Sequence, residues 1–309
     1  MDIRFDGRVA IVTGSGAGLG RAHALGLAAR GARVVINDLG AATDGTGASS
    51  DAAQAVVEEI RAMGGEAVAH GADVADEAQV ADMVAQTMSQ WGRVDIVVNN
   101  AGILRDKSFA KMSMGDFRKV IDVHLIGSAN VAHACWPIMR EQGYGRVVFT
   151  SSASGLYGNF GQANYGAAKA AMMGLMNVLH LEGARDNIRV NCLAPTAATR
   201  MTEALIPEQA LALLAPETIT PGLLYLVSED APSRVILCAG AGCYAQTRVF
   251  ETEGILLEGS VNTPEEIAAR FASVQDEEGK RELTDAFSQT RKYARKAADA
   301  RGIDLPWGA

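Results

Sequence analysis

Short apolar segments alternate with longer alanine-rich segments along most of the chain. The apolar segments are rich in β-branched residues and predict strands over residues 8–13, 33–37, 66–73, 94–100, 146–152, 188–194 and, as the last strand, 235–240. The segments between them predict helices over residues 18–30, 51–63, 77–91, 116–139 and 165–186. Because the apolar segments show no alternation with polar residues, we expect strands that are buried on both faces.

This order of elements predicts an α/β fold, because strands that alternate with helices form a parallel sheet with right-handed crossovers. We expect a doubly wound, Rossmann-like sheet in a single domain over residues 1–244. Residues 245–309 are expected to form a helical C-terminal extension that packs on the core or on a dimer partner. In this extension Thr263 and Pro264 are typical of a helix start.

Amino-acid composition and net charge indicate which kinds of partner and which cellular compartment to expect for the protein. The chain of 309 residues carries a net charge of −8, which argues against a nucleic-acid partner. No run of about 18 apolar residues is present, so we expect no membrane span. The amino terminus does not have the pattern of a signal peptide, and we expect a cytoplasmic location. The four cysteines form no CxxC pair, so we expect buried thiols and no metal site.

A glycine-rich turn follows the first predicted strand and precedes the first helix. Glycines let the backbone approach a ligand closely, and the amides at the start of a helix suit a pyrophosphate. The spacing departs from GxGxxG, so a plain tight turn is the alternative. The turn contributes the candidate cofactor-binding residues Gly14, Ser15, Gly16, Gly18, Leu19 and Gly20.

Asp38 lies at the end of the second predicted strand, 18 residues after Gly20. A carboxylate at this place accepts hydrogen bonds from both ribose hydroxyls of adenosine and repels a 2′-phosphate. No arginine follows it directly, so the pattern favours NAD over NADP as the cofactor. A turn-forming aspartate is the alternative. By the same logic, Asp73 and Val74 are placed to meet the adenine after the third strand.

Tyr165 and Lys169 are four residues apart at the start of a predicted helix and therefore project from one face. An unperturbed tyrosine has a pKa near 10, and a neighbouring ammonium group lowers it. Tyr165 could then exchange a proton with an alcohol or carbonyl oxygen. Ser152 ends the fifth predicted strand and would hold the same oxygen by hydrogen bonds. These three residues are the predicted catalytic set, and hydride transfer would belong to the nicotinamide.

The motifs resemble those of the short-chain dehydrogenase/reductase family over residues 8 to about 240. The matching residues are TGSGAGLG at 13–20, NNAG at 99–102, Ser152, YGAAK at 165–169 and Pro195. The resemblance implies that Asn100, with Ala101 and Gly102, contacts the cofactor. It also implies that the segment after Pro195 closes over the nicotinamide, with Thr199 as the contact.

One residue departs from the family pattern. The family often has an asparagine in an NxxG pattern on the central helix, whose backbone carbonyl helps to hold a water that joins the lysine to solvent. This chain has His124 there, followed by Gly127. A histidine keeps the backbone role, and its imidazole is a candidate member of the proton relay. A packed helix histidine is the alternative.

Longer stretches such as NNAGILRDKSFA and SSASGLYGNFGQANYGAAK resemble one subgroup, the (3R)-hydroxyacyl-CoA dehydrogenase unit of peroxisomal multifunctional enzyme type 2. This resemblance implies NAD-dependent oxidation of a (3R)-hydroxyacyl-CoA in fatty acid or sterol side-chain degradation, by a homodimer or homotetramer. The alternatives are a 17β-hydroxysteroid dehydrogenase acting on free steroid and a non-catalytic NAD-binding sensor.

Seven basic and three acidic residues lie between Lys280 and Arg301 in the C-terminal extension. We interpret this segment as a solvated helix face that packs on the core or on a dimer partner. Contact with acyl-CoA phosphates is the alternative.

Overall fold

The computed structural model describes residues 2–197 and 208–306. The chain divides into two compact units with bounds at residues 1–247 and 248–309. The last strand of the first unit spans Cys243–Thr247 and so crosses the boundary that was expected after residue 244. The assignment of the two segments as a dehydrogenase domain and a packing extension stays a prediction.

A single sheet of eight strands forms the centre of the first unit, and it confirms the predicted Rossmann-like α/β fold. The strands are β1 (Val9–Thr13), β2 (Arg33–Asn37), β3 (Glu66–His70), β4 (Ile96–Asn99), β5 (Gly145–Thr150), β6 (Ile188–Pro195), β7 (Ile236–Gly240) and β8 (Cys243–Thr247). Their order in the sheet is β3-β2-β1-β4-β5-β6-β7-β8, and all neighbours are parallel except β7 and β8.

Strand β8 was not expected from the sequence, because 235–240 was taken as the last strand. It pairs antiparallel with β7 through a tight turn at Ala241 and Gly242, which have φ angles of +51° and +73°. Such mirror-image turns match the twist of a hairpin. Most of β8 is exposed and poor in β-branched residues, so it lacks the signal that identified the other strands. Cys243 is exposed here, and the prediction that all four thiols are buried is wrong for it.

Helices cover both faces of the sheet. They are α1 (Gly18–Ala28), α2 (Asp51–Ala62), α3 (Glu77–Trp91), α4 (Met114–Ile121), α5 (Gly127–Gln142), α6 (Ala153–Tyr157), α7 (Ala163–Gly183), α8 (Glu208–Leu211) and α9 (Thr220–Leu226). The single helix predicted over 116–139 is interrupted by a π-helical turn, Asp122–Ile126, between α4 and α5. Turns of this kind are frequent at functional sites.

Two apolar clusters lie on opposite faces of the sheet. Successive strand residues point to opposite faces, so Val97 belongs to one cluster and Val98 to the other. The first cluster includes Met83 of α3 and Met172 of α7, and the second includes Leu223 of α9. Both faces are therefore covered by helices, which explains why the strand sequences are apolar throughout.

A fully buried carboxylate, Asp95, lies just before β4. It accepts hydrogen bonds from Arg8 Nη1 at 2.9 Å and from the Val9 amide at 2.9 Å. Arg93 donates two hydrogen bonds to the same carboxylate, from Nε at 2.7 Å and from Nη2 at 2.6 Å. A buried charge is tolerated only with such partners, so this cluster is expected to stabilise the amino-terminal edge of the sheet.

The second unit contains α10 (Pro264–Ala269), α11 (Phe271–Val274) and α12 (Ala286–Arg301). The predicted helix start is confirmed, because the Thr263 hydroxyl accepts a hydrogen bond from the Glu266 amide at 3.2 Å. Basic residues of α12 bind the 251–258 segment within the unit. Lys296 Nζ donates to the carbonyls of Glu253 and Gly254, at 2.9 Å and 2.7 Å.

Among the described basic side chains of α12, that of Lys292 is the most buried. Its Nζ lies 2.9 Å from Glu251 Oε1 and also donates to the Thr252 carbonyl. Arg301 Nε lies 2.8 Å from Glu258 Oε1 at the far end of the same segment. Three basic side chains of α12 thus hold one peptide segment, which supports a structural role for them.

The described part of the chain contains neither a membrane-spanning helix nor a cluster of metal ligands. Among the described residues, no helix is both long enough and apolar enough to span a bilayer. Over residues 2–197 and 208–306, no three His, Cys, Asp or Glu side chains are grouped so that they could hold a metal ion.

Candidate active site

The glycine-rich turn joins β1 to α1 and depends on its glycines. Gly14 and Gly18 have φ angles of +63° and +54°, which residues other than glycine rarely adopt. A Cβ atom on Gly20 would lie 2.2 Å from the Gly14 carbonyl oxygen, so this position also excludes a side chain. Ser15 ties the turn to the neighbouring strand through its amide, which donates to the Asn37 carbonyl at 3.0 Å.

Asp38 connects this turn to the loop that follows β2. Its Oδ2 accepts a hydrogen bond from the Gly16 amide and its Oδ1 accepts one from the Gly40 amide, both at 2.7 Å. A Cβ atom on Gly16 would lie 2.9 Å from the carboxylate, so only glycine allows this approach. The carboxylate is therefore held in one orientation at the carboxyl end of β2.

The NNAG motif braces the turn from the other side. Asn100 Nδ2 donates to the carbonyls of Thr13 and Gly14, both at 3.0 Å. The amides of Asn100 and Ala101 donate to the Thr13 hydroxyl, at 3.0 Å and 3.1 Å. The amide group of Asn100 is thus used to hold the turn, a role that the sequence did not indicate.

A cavity of about 280 Å³ opens between the turn and the ends of β2, β3 and β4. It is lined by most of the residues predicted to bind the cofactor, namely Gly14, Gly18, Leu19, Asp38, Asp73, Val74, Asn100, Ala101 and Gly102. Lys119 of α4 also lines it, and its Nζ lies 3.8 Å from Asp73 Oδ2. Lys119 was missed by the sequence analysis, because no local pattern connects it to a strand end.

The donors and acceptors around this cavity fit a dinucleotide. Helix α1 has no side-chain cap, and its first residues, Ala17 to Leu19, line the cavity. Uncapped amides and the helix dipole favour a pyrophosphate at this place. Asp38 offers a carboxylate on the same cavity, as ribose hydroxyls require. The residues therefore fit the adenosine and pyrophosphate of a nicotinamide dinucleotide.

Ser152, Tyr165 and Lys169 meet at the carboxyl end of β5, as the sequence predicts. Ser152 lies directly before α6, and its hydroxyl accepts a hydrogen bond from the Ser154 amide at 3.2 Å. Tyr165 is in the first turn of α7, and its phenol group lies near enough to Ser152 for that side chain to lower its pKa. Lys169 lies one turn later, with Nζ 5.6 Å from the centre of the Tyr165 ring.

Burial controls the protonation of these groups. Burial raises the pKa of Tyr165, the nearby Ser152 side chain lowers it, and the charge of Asp106 raises it again. Burial also lowers the pKa of Lys169 to about 7, although its Nζ donates to the Thr150 carbonyl at 2.7 Å. The lysine can therefore gain or lose a proton near neutral pH, and the phenol is protonated there. The expectation that the lysine lowers the pKa of Tyr165 is wrong for this structure, because burial of the phenol has the larger effect.

The π-helical turn places His124 beside Tyr165. The imidazole is buried, and its Nε2 lies 2.9 Å from the Ile103 carbonyl oxygen and 3.1 Å from the Ile103 amide. Burial, reinforced by the charge of Lys169, lowers the pKa of His124 to about 3. A Cβ atom on Gly102 would lie 2.2 Å from Cε1, so the glycine makes room for the ring.

The last two residues predicted to contact the cofactor are Pro195, at the end of β6, and Thr199, which follows that strand in the sequence. Pro195 ends that strand, where it pairs with Ala239 of β7. The following amide, of Thr196, donates to the Ala239 carbonyl at 2.8 Å. Thr199 lies outside the described residues, so its contact with a nicotinamide stays a prediction.

Comparison with known proteins gives the family. Residues 8–210 match the model of a family described as short chain dehydrogenase. The chain belongs to this family. The resemblance found in the motifs is therefore confirmed, and so is the prediction of an oxidoreductase that acts on a secondary alcohol.

Several relatives of this dehydrogenase are similar over most of its length. It is 48% identical over 273 residues to a Mycobacterium tuberculosis protein described as a short-chain type dehydrogenase/reductase, covering 88% of this chain and 95% of that protein. It is also 48% identical over 263 residues to peroxisomal multifunctional enzyme type 2 of Drosophila melanogaster, covering 85% of this chain. It spans only 44% of that enzyme's length.

Solved structures agree with these similarities. The full-length Drosophila enzyme superposes with a TM-score of 0.80 at 37% identity, covering 96% of this chain and 50% of that one. A 7α-hydroxysteroid dehydrogenase solved with NADH and 7-oxo glycochenodeoxycholic acid superposes with a TM-score of 0.70 at 32% identity. That match covers 77% of this dehydrogenase and 95% of the steroid enzyme.

Other residues that shape the dehydrogenase site were not identified from the sequence. Asn164 is fully buried, and its Oδ1 accepts a hydrogen bond from the Tyr165 amide at 2.8 Å. Ser151 Oγ donates to the Lys169 carbonyl at 2.9 Å. Each is a direct sequence neighbour of a predicted catalytic residue, and that adjacency is the signal that could have found them.

Proposed function

We propose that this short-chain dehydrogenase oxidises a (3R)-hydroxyacyl-CoA to the 3-ketoacyl-CoA, in fatty acid or sterol side-chain degradation. The observation that carries the reaction type is the convergence of Ser152, Tyr165 and Lys169 at the end of the sheet where the dinucleotide cavity opens. The similarity to peroxisomal multifunctional enzyme type 2 supports the substrate class.

NAD, when bound, accepts the hydride from C3 of the alcohol. Tyr165 takes the hydroxyl proton on its phenol oxygen, and the Ser152 hydroxyl holds the same substrate oxygen by a hydrogen bond. In its protonated form Lys169, whose Nζ is oriented by the Thr150 carbonyl, stabilises the phenolate electrostatically. In reduction, the same groups act in the opposite direction.

NAD rather than NADP is proposed because Asp38 is followed by Leu39 and Gly40, which offer no positive charge to a 2′-phosphate. The remaining predicted cofactor contacts, including Asp73, Val74 and Asn100, are proposed on the basis of their position around the cavity.

A lipid-like substrate is supported by exposed aromatic side chains between Ser152 and Tyr165. Tyr157 is 71% exposed and Phe160 is 90% exposed. Exposed apolar groups of this size often mark a ligand-binding or interaction surface. We propose that they contact the acyl chain.

We propose a homodimer or homotetramer, on the basis of the family resemblance. The cytoplasmic location stays a prediction, because the relatives include proteins named as peroxisomal.

The test is NADH formation with a short (3R)-hydroxyacyl-CoA, a sterol-bearing one and free estradiol, each with NAD and with NADP. The (3S) epimer of the short ester is the substrate control, and Tyr165→Phe is the enzyme control. We expect one of the CoA esters to be oxidised much faster than estradiol, and Tyr165→Phe to lose about 10²–10⁴-fold in rate.

The alternatives give different results. Oxidation of estradiol alone would support the free-steroid function, which the similarity to a hydroxysteroid dehydrogenase favours as the second candidate. Tight NADH binding without turnover of any alcohol would support a sensor, although a sensor does not need Ser152, Tyr165 and Lys169 together.

A further inference from the structure

Residues 104–107 lie between the nucleotide cavity and the catalytic side chains, and we name them the bridge segment. On one side it binds the loop that follows β2. The Leu104 amide donates to the Thr43 carbonyl at 2.9 Å, and Arg105 Nε donates to the Asp44 carbonyl at 2.9 Å. Thr43 lines the nucleotide cavity, so these bonds reach the cavity wall.

On its other side the bridge segment binds the residues that precede α7. Asn164 Nδ2 donates to the Arg105 carbonyl at 3.0 Å, and the Lys107 amide donates to the Gly161 carbonyl at 2.9 Å. Gln162 Nε2 donates to Asp106 Oδ2 at 2.6 Å. Three consecutive residues of the segment are therefore bonded to the 161–164 stretch.

Two of these contacts, those of Asn164 and Gln162, lead to a catalytic residue by one or two more hydrogen bonds. The buried Asn164 accepts the Tyr165 amide at 2.8 Å, which orients the first turn of α7. Gln162 Oε1 accepts the Ser154 hydroxyl at 2.7 Å, and the Ser154 amide donates to Ser152 Oγ at 3.2 Å. The positions of both Ser152 and Tyr165 thus depend on the bridge segment.

Arg105 is the member that joins the two sides, because its Nε donates to the Asp44 carbonyl and its own carbonyl accepts from Asn164 Nδ2. Its Nη1 also lies 3.0 Å from Asp116 Oδ1 of α4, which fixes the guanidinium. The guanidinium is planar and its donors are in a fixed arrangement, so it transmits a displacement of the loop better than a flexible ammonium group would. The 40–49 loop is largely exposed and polar, and such loops order readily when a ligand binds.

We propose that Arg105 is a positioning residue that couples nucleotide binding to the placement of Ser152 and Tyr165. A nucleotide that settles against Asp38 and Thr43 stabilises the 40–49 loop in the position that the bridge segment holds. The bridge segment then stabilises the 161–164 stretch and the start of α7. This inference rests on the proposed dinucleotide site and adds to it a coupling between two parts of the enzyme.

Hydrogen–deuterium exchange with ADP tests the coupling without any turnover. ADP lacks the nicotinamide and its ribose, so it cannot itself reach Tyr165. In the wild-type protein we expect ADP to slow amide exchange in residues 40–49 and also in residues 161–166. In Arg105→Met, which keeps the apolar stem, we expect protection of 40–49 alone. Arg118→Met, at an exposed position on α4, is the matched control and should behave like the wild type.

Binding constants give a second readout. Arg105→Met should bind ADP less tightly by about fivefold or more, since a lost coupling is typically worth a factor of 5 to 150. The ADP affinity of Arg105→Lys should lie between those of Arg105→Met and the wild type. The lysine ammonium group keeps the positive charge but lacks the planar set of donors of the guanidinium.

The outcomes separate this inference from the proposed function. Wild-type protein in which ADP protects 40–49 and leaves 161–166 unchanged overturns the coupling, while the dehydrogenase proposal stands. Equal protection of 161–166 in Arg105→Met also overturns the role of Arg105. A protein that binds neither ADP nor NADH overturns the nucleotide site on which both proposals depend.

Discussion

The imidazole of His124 packs edge to face against the phenol ring of Tyr165, with ring centroids 5.2 Å apart and ring planes at 89°. This arrangement is one of the two that aromatic pairs prefer. The π-helical turn presents the imidazole at this point, and Nε2 fixes it on the backbone of Ile103. Nδ1 has no hydrogen-bond partner among the described residues. The contact suggests that the histidine positions the tyrosine.

Replacing this histidine tests that role. We expect His124→Asn to lower kcat/KM by about tenfold or less, as the loss of one aromatic pair implies. Because the pKa of His124 is about 3, the imidazole is neutral over the working pH range, and the apparent pKa values of the pH–rate profile should not move. Profiles of the wild type and His124→Asn, with exposed His133→Asn as control, provide the measurement. If the pH–rate profile of His124→Asn instead lacks one of the pH-dependent limbs of the wild-type profile, the imidazole belongs to the proton relay.

Removing the charge of Asp38 should weaken NAD use and relax cofactor selectivity. Its carboxylate holds two backbone amides, and charge-assisted bonds of this kind are each worth about 1.5–3 kcal/mol. We expect Asp38→Asn to lower kcat/KM with NAD by about 10–100-fold, from the loss of one such bond. The ratio of NADP to NAD activity should rise, because the repulsion of a 2′-phosphate is removed.

Steady-state kinetics with both cofactors would check the effect of Asp38→Asn. Asp44→Asn is the matched control, since Asp44 lies in the same loop and its side chain bonds only to Thr46 among the contacts described. An unchanged cofactor ratio in Asp38→Asn would show that this carboxylate does not select NAD.

Mild acid should destabilise the protein through buried histidines. Burial lowers the pKa of His23 to about 3, from an ordinary value of 6.5. Between these values the unfolded chain binds a proton that the folded chain does not, so stability is full above pH 6.5 and falls as the pH drops towards 3. One such group contributes a slope of about 1.4 kcal/mol per pH unit.

His23→Gln isolates this contribution to acid stability. Glutamine can still bond to the Thr220 hydroxyl, which lies 3.0 Å from His23 Nδ1. Urea unfolding at pH 5.0, 5.5 and 6.0 should show a free-energy slope that is flatter by about 1 kcal/mol per pH unit. The exposed His133→Gln should keep the wild-type slope. An equal slope in all three proteins would mean that His23 is protonated in the folded state.

Asp95 should be the most costly aspartate to neutralise outside the site. It is fully buried and accepts hydrogen bonds from Arg8, Arg93 and the Val9 amide, so its neutralisation leaves two cationic side chains and a buried amide with a weaker acceptor. We expect Asp95→Asn to lower the free energy of unfolding by about 3–5 kcal/mol, measured by urea denaturation.

The control for Asp95 is an exposed aspartate with a similar local arrangement. Asp6 pairs with Arg4 two residues away on the surface, where an ion pair contributes little. Asp6→Asn should therefore leave the free energy of unfolding almost unchanged. Comparable losses in the two variants would contradict the view that burial makes the Asp95 cluster important.

Several parts of the site could be predicted because their signal is local. Tyr165 and Lys169 share a helix face by spacing alone, and the glycines of the turn follow a strand directly. Lys119 and Arg105 could not be predicted in the same way. Their roles depend on Asp73, Asp44 and Asp116, which a single sequence does not connect to them.

The sequence by itself determined the succession of strands and helices and the parallel sheet, and it gave the residues proposed to exchange a proton and bind a nucleotide. These follow from hydrophobic periodicity and from short motifs, which are properties of neighbouring residues. Only the tertiary structure decided that β8 turns back on β7, that Asn100 braces the turn, and that the bridge segment joins the cavity to Tyr165. Those features are hydrogen bonds between distant segments, and they exist only once the chain has folded.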